Sequence, residues 1–126
     1  MLLTLLVLTF LNLFQPQTKD GAVMEFVELN YNFGTLEQGS EKVSHEFEFT
    51  NEGVAPLIIT RATTTCRCLS ISTPKRPVRK GESGKVVVTY DPKDVGVFNK
   101  TIDLHANIEG GVLTLFVTGE VVEAKN

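Results

Sequence analysis

Between residues 25 and 122, short segments alternate apolar and polar side chains with a period of two, and Gly and Pro turn signals separate them. The clearest segment covers residues 41–50, where Phe47 and Phe49 fall on one face and Glu46 and Glu48 on the other. A period of two is typical of a strand that is buried on one face only. Such strands must bury their apolar faces against a second layer, so the pattern favours a sandwich of two sheets.

Turn signals that recur roughly every ten residues divide this region into seven predicted strands. We predict these strands at residues 25–33, 41–50, 57–62, 66–72, 85–90, 97–108 and 112–122. The tripeptide Glu109-Gly-Gly111 predicts a tight hairpin turn between the last two strands. The chain contains no Trp, which excludes the Cys-Trp-Cys core of an antibody-type domain. The predicted core consists of in-phase apolar residues: Phe47, Phe49, Leu57, Ile59, Val86, Val88, Ile102, Leu104, Leu115 and Val117.

The N-terminal segment differs in composition from the rest of the chain. Residues 1–14 include only three polar side chains, those of Thr4, Thr9 and Asn12. A helix of this length spans about 21 Å, which is short of the roughly 30 Å hydrocarbon core but suits the apolar part of a secretory signal. We predict a signal peptide and a short polar bridge over residues 1–21, and one domain over residues 22–126. An N-terminal helix packed on the domain and an uncleaved membrane anchor are the alternatives, because no basic residue precedes the apolar run.

Charge is distributed unevenly along the chain, although the net charge is only −3. Residues 20–52 carry eight acids and one lysine, whereas residues 61–85 carry seven bases and one acid. The acidic balance of the whole chain argues against nucleic acid as a partner. We predict an exposed loop over residues 73–84 that binds an unknown protein or an anionic envelope component, such as a phosphorylated glycan. Its predicted contacts are Lys75, Arg76, Arg79 and Lys80.

Intramolecular pairing is the alternative interpretation of these charges. In a sandwich of this kind the second strand often pairs with the strand over residues 85–90, which brings Glu46 and Glu48 near Lys85. We favour this pairing for Lys85. Both interpretations stay open for the loop.

The two cysteines of the chain, Cys66 and Cys68, are separated only by Arg67. In an extended strand, residues i and i+2 lie about 6.6 Å apart, whereas a disulfide needs Cβ atoms about 3.8 Å apart. Arg67 also makes a positive φ at the central position costly. We therefore predict two reduced thiols rather than a stable disulfide. An easily reduced disulfide and a soft-metal site, for example for Cu(I), stay open as alternatives.

The ordered motifs of residues 24–122 resemble a secreted bacterial family of unknown function that carries a Ser-Cys-Gly-Cys motif. The elements that match are Phe47 to Asn51, Gly53, Ala55-Pro-Leu57, Ile59, Cys66-x-Cys68, Gly81-Glu-Ser-Gly84 and Val97 to Ile102. That family is similar to the Hydin-type and major-sperm-protein-like immunoglobulin folds. The resemblance implies an all-β, immunoglobulin-like antiparallel β-sandwich in the periplasm or outside the cell, without an assigned activity. Two residues depart from the family motif: Thr65 replaces its Ser and Arg67 its Gly.

The sequence gives little evidence of a catalytic site. A nucleophilic Cys needs a nearby base, and no His lies close in sequence to Cys66. The pattern predicts His45 at the rim of the core and His105 facing solvent, so we expect no joint metal site and no cofactor. We predict a non-enzymatic binding or structural module of the cell envelope, in contact with a membrane only if the N-terminal segment is uncleaved. The alternative is a thiol-redox or copper-handling protein that acts through Cys66 and Cys68.

Overall fold

Eight β-strands form two four-stranded sheets in the computed structural model, which describes residues 21–125. The strands are β1 Met24–Phe26, β2 Asn30–Glu37, β3 Val43–Asn51, β4 Ile59–Thr63, β5 Leu69–Ser72, β6 Ser83–Tyr90, β7 Gly96–Ala106 and β8 Val112–Val122. Within this range there is no helix long and apolar enough to cross a membrane. The predicted signal peptide and bridge fall almost entirely outside the described residues and stay a prediction.

The two sheets have the strand orders β1-β3-β6-β5 and β2-β8-β7-β4. All pairs in the first sheet are antiparallel. In the second sheet β8-β7 and β7-β4 are antiparallel, whereas β2 runs parallel to β8. The prediction of an all-β sandwich is therefore confirmed, and the β2-β8 pair departs from the antiparallel arrangement that we expected.

The first predicted strand, over residues 25–33, is two strands in the structure. The chain leaves the first sheet after Phe26 and joins the second sheet at Asn30, which raises the strand number from seven to eight. Val27 lies on the connection between the two strands and is 80% exposed. A period of two does not reveal such a crossing, because side chains alternate in the same way in either sheet.

Side chains from the two facing sheets form one hydrophobic core. Nine of the ten predicted core residues are buried. The tenth, Ile59, is only partly buried and packs against the margin of the core, because β4 is an edge strand. The predicted hairpin turn is confirmed as well: Gly110 and Gly111 both have a φ of 80°, a conformation that a Cβ disfavours.

Candidate functional site

A fully buried asparagine at the end of β3 connects the predicted binding loop to the sandwich. The Oδ1 atom of Asn51 accepts hydrogen bonds from the backbone N–H groups of Val23 (3.2 Å) and Gly53 (3.0 Å). Its Nδ2 atom donates to the carbonyl oxygens of Ala55 (2.8 Å) and Val78 (2.9 Å). These four bonds use the two donors and two lone pairs of the side-chain amide. Asn51 therefore fixes three separate backbone segments relative to each other.

The loop between β5 and β6, residues 73–82, is held at its middle and at its end. Leu57 and Val78 exchange two backbone hydrogen bonds, of 2.8 and 2.9 Å, and both side chains are buried. The backbone of Asn51 pairs with the end of the loop: its N–H donates to the carbonyl of Glu82 (3.0 Å), and its carbonyl accepts from the N–H of Gly81 (2.8 Å). The exposed side chains next to Val78 therefore extend from an anchored backbone.

This anchoring places two of the predicted contact residues, Arg76 and Arg79, in one groove of about 660 Å³. The groove is lined by Pro56, Ile58, Arg76, Pro77, Arg79 and Glu82. Ile58 is 47% exposed, so the groove offers an apolar wall beside two guanidinium groups. Lys75 and Lys80 are exposed on the same loop but do not line the groove.

The proposed internal charge pairing is found for Lys85 and not for the loop. The Nζ atom of Lys85 lies 3.1 Å from Oε2 of Glu46, and Glu48 is directly opposite Lys85 in the β3-β6 register. Both side chains of the ion pair are more than half exposed, so the pair contributes little to stability. Across residues 21–125, none of the ion pairs within 4.0 Å involves a base of the loop.

Cys66 and Cys68 form a disulfide, so the prediction of two reduced thiols is wrong. The pair lies in the connection between β4 and β5. The sequence predicts a strand over residues 66–72, but in the structure this strand begins only at Leu69. The N–H of Leu69 donates to the carbonyl of Cys66 (3.3 Å) and closes a turn, in which the cysteine Cα atoms are 5.2 Å apart. No described residue other than Gly has a positive φ, so Arg67 accommodates this turn without the conformation that we considered costly.

A cleft of about 150 Å³ opens beside the disulfide. Its lining includes the two half-buried cysteines together with Tyr90, Asp94 and Lys100. The ring of Tyr90 is buried and stacks on Phe98, with 4.1 Å between the ring centroids. Burial raises the pKa of the Tyr90 hydroxyl, and the carboxylates of Asp94 and Asp91 raise it further.

The two histidines lie on strands of different sheets. His45 is at the rim of the core, as predicted; its ring stacks on Tyr31 with 3.6 Å between the centroids, and its Nε2 atom forms a hydrogen bond with Oε1 of Glu28. His105 lies on the outer face of its sheet, opposite the buried Leu104, as predicted, but it is half-buried there; its Nε2 atom lies 3.3 Å from Oγ1 of Thr63. In the part of the chain that the structure describes, no group of three or more His, Cys, Asp or Glu side chains is placed to hold a metal ion.

Two four-stranded sheets, with the N-terminal strand region divided between them, form an immunoglobulin-like β-sandwich. The structure is similar to PapD-like domain 7 of human CEP192, with a TM-score of 0.64 and 19% identity over 88% of this chain and 94% of that one. This likeness confirms the predicted immunoglobulin-like fold. It concerns the fold alone.

The chain belongs to the DUF1573 family, described as proteins of unknown function, whose model matches residues 24–121. A protein of unknown function from Porphyromonas gingivalis W83 is similar in structure, with a TM-score of 0.70 and 22% identity over 85% of this chain. The chain spans about half, 50%, of that protein's length. The VesB protease of Vibrio cholerae is similar over 79% of this chain but only 31% of its own, with 23% identity and a TM-score of 0.58. No curated protein sequence matches the chain.

Sequence reasoning missed the role of Asn51. The signal that was available is the tripeptide Asn51-Glu-Gly53 directly after a strongly alternating strand. A Cβ on Gly53 would lie 2.1 Å from the carbonyl oxygen of Gly21, so the glycine marks a close approach of two backbones. Such an approach is one of the reasons for a glycine beside a strand.

Proposed function

We propose that this protein is a non-enzymatic binding module of the bacterial cell envelope, and that the groove between Arg76 and Arg79 is its binding site. The observation that carries this proposal is the pair of guanidinium groups beside an exposed apolar wall on an anchored loop. A guanidinium group presents its donors in a fixed fork that matches carboxylate and phosphate oxygens. The backbone hydrogen bonds of Val78 already hold the loop in place. Binding therefore has less loop to order and costs less conformational entropy.

An acidic peptide segment of a partner protein fits this groove better than a phosphorylated glycan. Both carry the negative charge that Arg76 and Arg79 favour. Only the peptide also offers apolar side chains to Ile58, Pro56 and Pro77, whose surfaces form much of the groove wall. A fully hydrated glycan would leave that apolar wall without a matching surface.

An envelope location is supported by two features of the chain. The apolar run of residues 1–14 has the length of a secretory signal core. The disulfide between Cys66 and Cys68 is favoured in an oxidising compartment, whereas cytosolic thiols are kept reduced. Copper handling is not proposed, because the sulfur atoms of a disulfide carry no thiolate charge with which to bind Cu(I).

An NMR titration of the full chain tests the binding proposal. The probe is a short acidic peptide in which Leu residues flank an Asp-Glu pair, and the expected response is a shift of the backbone N–H signals of residues 57, 58, 76 and 78–82. Binding should weaken at 0.5 M salt, because exposed charges are then screened over only a few ångströms. The double variant Arg76→Glu, Arg79→Glu should abolish the response.

The matched control reverses two other exposed bases, in the variant Lys42→Glu, Arg61→Glu, and should bind as the wild type does. If a phosphorylated polysaccharide bound more tightly than the peptide, the partner would be a glycan and not an acidic peptide. Shifts outside the groove, or shifts that the arginine variant retains, would refute the groove as the binding site.

A further inference from the structure

We propose that the Cys66–Cys68 disulfide is a thiol–disulfide exchange site, separate from the groove, and that a dithiol attacks Cys68 while Cys66 leaves. The disulfide lies on the connection between the two sheets and lines a cleft that opens to solvent. Both cysteines are half-buried residues, and both line the cleft. Access to a sulfur atom is the first requirement for attack by a thiolate.

The fold holds the backbone around the disulfide without needing the bond itself. On one side, the hydroxyl of Thr64 donates to the carbonyl of Thr101 (2.9 Å), which connects the segment to β7. On the other side, the N–H of Asp91 donates to the carbonyl of Cys68 (2.9 Å), which connects it to the end of β6. The bond also closes a loop of only three residues, so it restricts the unfolded chain little. The disulfide therefore opens without unfolding the domain.

A backbone hydrogen bond distinguishes the two sulfur atoms. The N–H of Cys68 donates to Sγ of Cys66 at 3.3 Å. A donor in contact with a sulfur stabilises negative charge there, and the thiol with the more stable thiolate is the better leaving group. Charged side chains of both signs, those of Lys100, Asp91 and Asp94, line the cleft together with the two cysteines. The hydrogen bond therefore directs attack to Cys68.

The exchange proceeds in two balanced steps. A thiolate of the external dithiol attacks Sγ of Cys68; a mixed disulfide forms, the Cys66–Cys68 bond breaks, and its electron pair leaves on Sγ of Cys66, which then takes up a proton. The second thiol of the dithiol then loses its proton and attacks the dithiol's other sulfur atom, the one that is bonded to Cys68 in the mixed disulfide. This attack releases Cys68 as a thiolate. Two electrons pass from the dithiol to the cysteine pair, and the dithiol becomes a disulfide. The reverse sequence transfers the disulfide to a dithiol protein.

Trapping of the mixed disulfide tests the direction of attack. The full chain is mixed with glutathione, quenched in acid within seconds and mapped by peptide mass spectrometry. The glutathione adduct should be found on Cys68 in at least fivefold excess over Cys66. The matched control is an oxidised peptide of residues 64–69, in which no fold holds the N–H against the sulfur and the adduct should be divided nearly evenly. An excess on Cys66 in the protein, or equal ratios in protein and peptide, overturns the proposal.

Reduction of the folded protein tests the exchange role itself. With dithiothreitol and no denaturant, both cysteines should become alkylatable within minutes while the circular dichroism spectrum stays that of the oxidised protein. Reoxidation by an oxidised dithiol should restore the starting mass. A disulfide that is reduced only in denaturant, or whose reduction unfolds the sandwich, is a structural bond and overturns the proposal.

Discussion

The Nδ2 atom of Asn51 donates a 2.9 Å hydrogen bond to the carbonyl oxygen of Val78, 27 residues further along the chain. This bond joins the last residue of a central strand to the middle of the loop that carries Arg76 and Arg79. The side chain of Asn51 is completely buried, so no water replaces the bond when it is broken. The stability of the sandwich and the shape of the groove therefore depend on the same residue.

Replacing Asn51 with Ala should lower the free energy of unfolding by about 3–5 kcal/mol, because it removes four hydrogen bonds, two of them fully buried, from the interior. Urea denaturation measures the loss. The control is Asn107→Ala: Asn107 also bonds two backbone groups, those of Ile58 and Pro56, but it is exposed and water can replace it. We expect that control to cost less than about 1 kcal/mol. Equal losses for the two variants would contradict the role assigned to Asn51.

Replacing Phe47 with Ala should destabilise the protein by about 3–5 kcal/mol, because it leaves a cavity in the core. Phe47 is 0% exposed and lies on central strand β3. The matched control is Phe116→Ala, since Phe116 is 41% exposed on β8 and should lose far less. Thermal and urea denaturation of the two variants measure the difference. A smaller loss at Phe47 than at Phe116 would contradict the core described here.

Replacing Gly53 with Ala should destabilise the protein by roughly 1–3 kcal/mol, the usual range for overpacking. The new Cβ would lie 2.1 Å from the carbonyl oxygen of Gly21 and 2.6 Å from the N atom of Val23, and backbone atoms do not give way easily. Gly21→Ala is the control, because nothing lies within 4 Å of a Cβ built there. The melting temperature of Gly53→Ala should fall well below that of the control. Equal melting temperatures would argue against the close approach.

Replacing Tyr90 with Phe should flatten the loss of stability at alkaline pH. Burial, with Asp94 and Asp91, raises the pKa of the Tyr90 hydroxyl in the folded state above its ordinary value of 10.0. The stabilisation that this shift represents is fully present below pH 10.0 and is lost as the pH rises through the folded pKa. Urea denaturation between pH 8 and pH 11 should show a steeper decline for the wild type than for Tyr90→Phe. Tyr31→Phe serves as the control for removal of a phenol hydroxyl outside the cleft.

Strong local patterns were sufficient to locate most of the strands. The predicted last strand, residues 112–122, agrees with β8 at both ends, because its apolar phase and the preceding Gly pair both set its limits. The pairing of Lys85 with Glu46 was also predictable, since it needed only two strands and the usual neighbour relationship between them. The exposed position of Arg76 and Arg79 followed from the turn signals around them.

The sites depended on contacts that no local pattern contains. The backbone bridge between Leu57 and Val78 decides which bases of the loop share the groove. Arg76 and Arg79 line it, whereas Lys75 and Lys80 do not. The bond between Cys66 and Cys68 was predicted wrongly because the sequence suggested an extended strand there, and the crossing between sheets imposes a turn.

The sequence by itself determined the fold class, most of the strands and the composition of the core, because a period of two in apolar side chains is a local consequence of strand geometry. Only the tertiary structure decided which sheet each strand joins, that Asn51 connects three segments and that the cysteines meet. These outcomes arise from hydrogen bonds between residues far apart in the chain, such as Asn51 and Val78. Their partners are selected by the packing of the whole sandwich, which short-range periodicity does not specify.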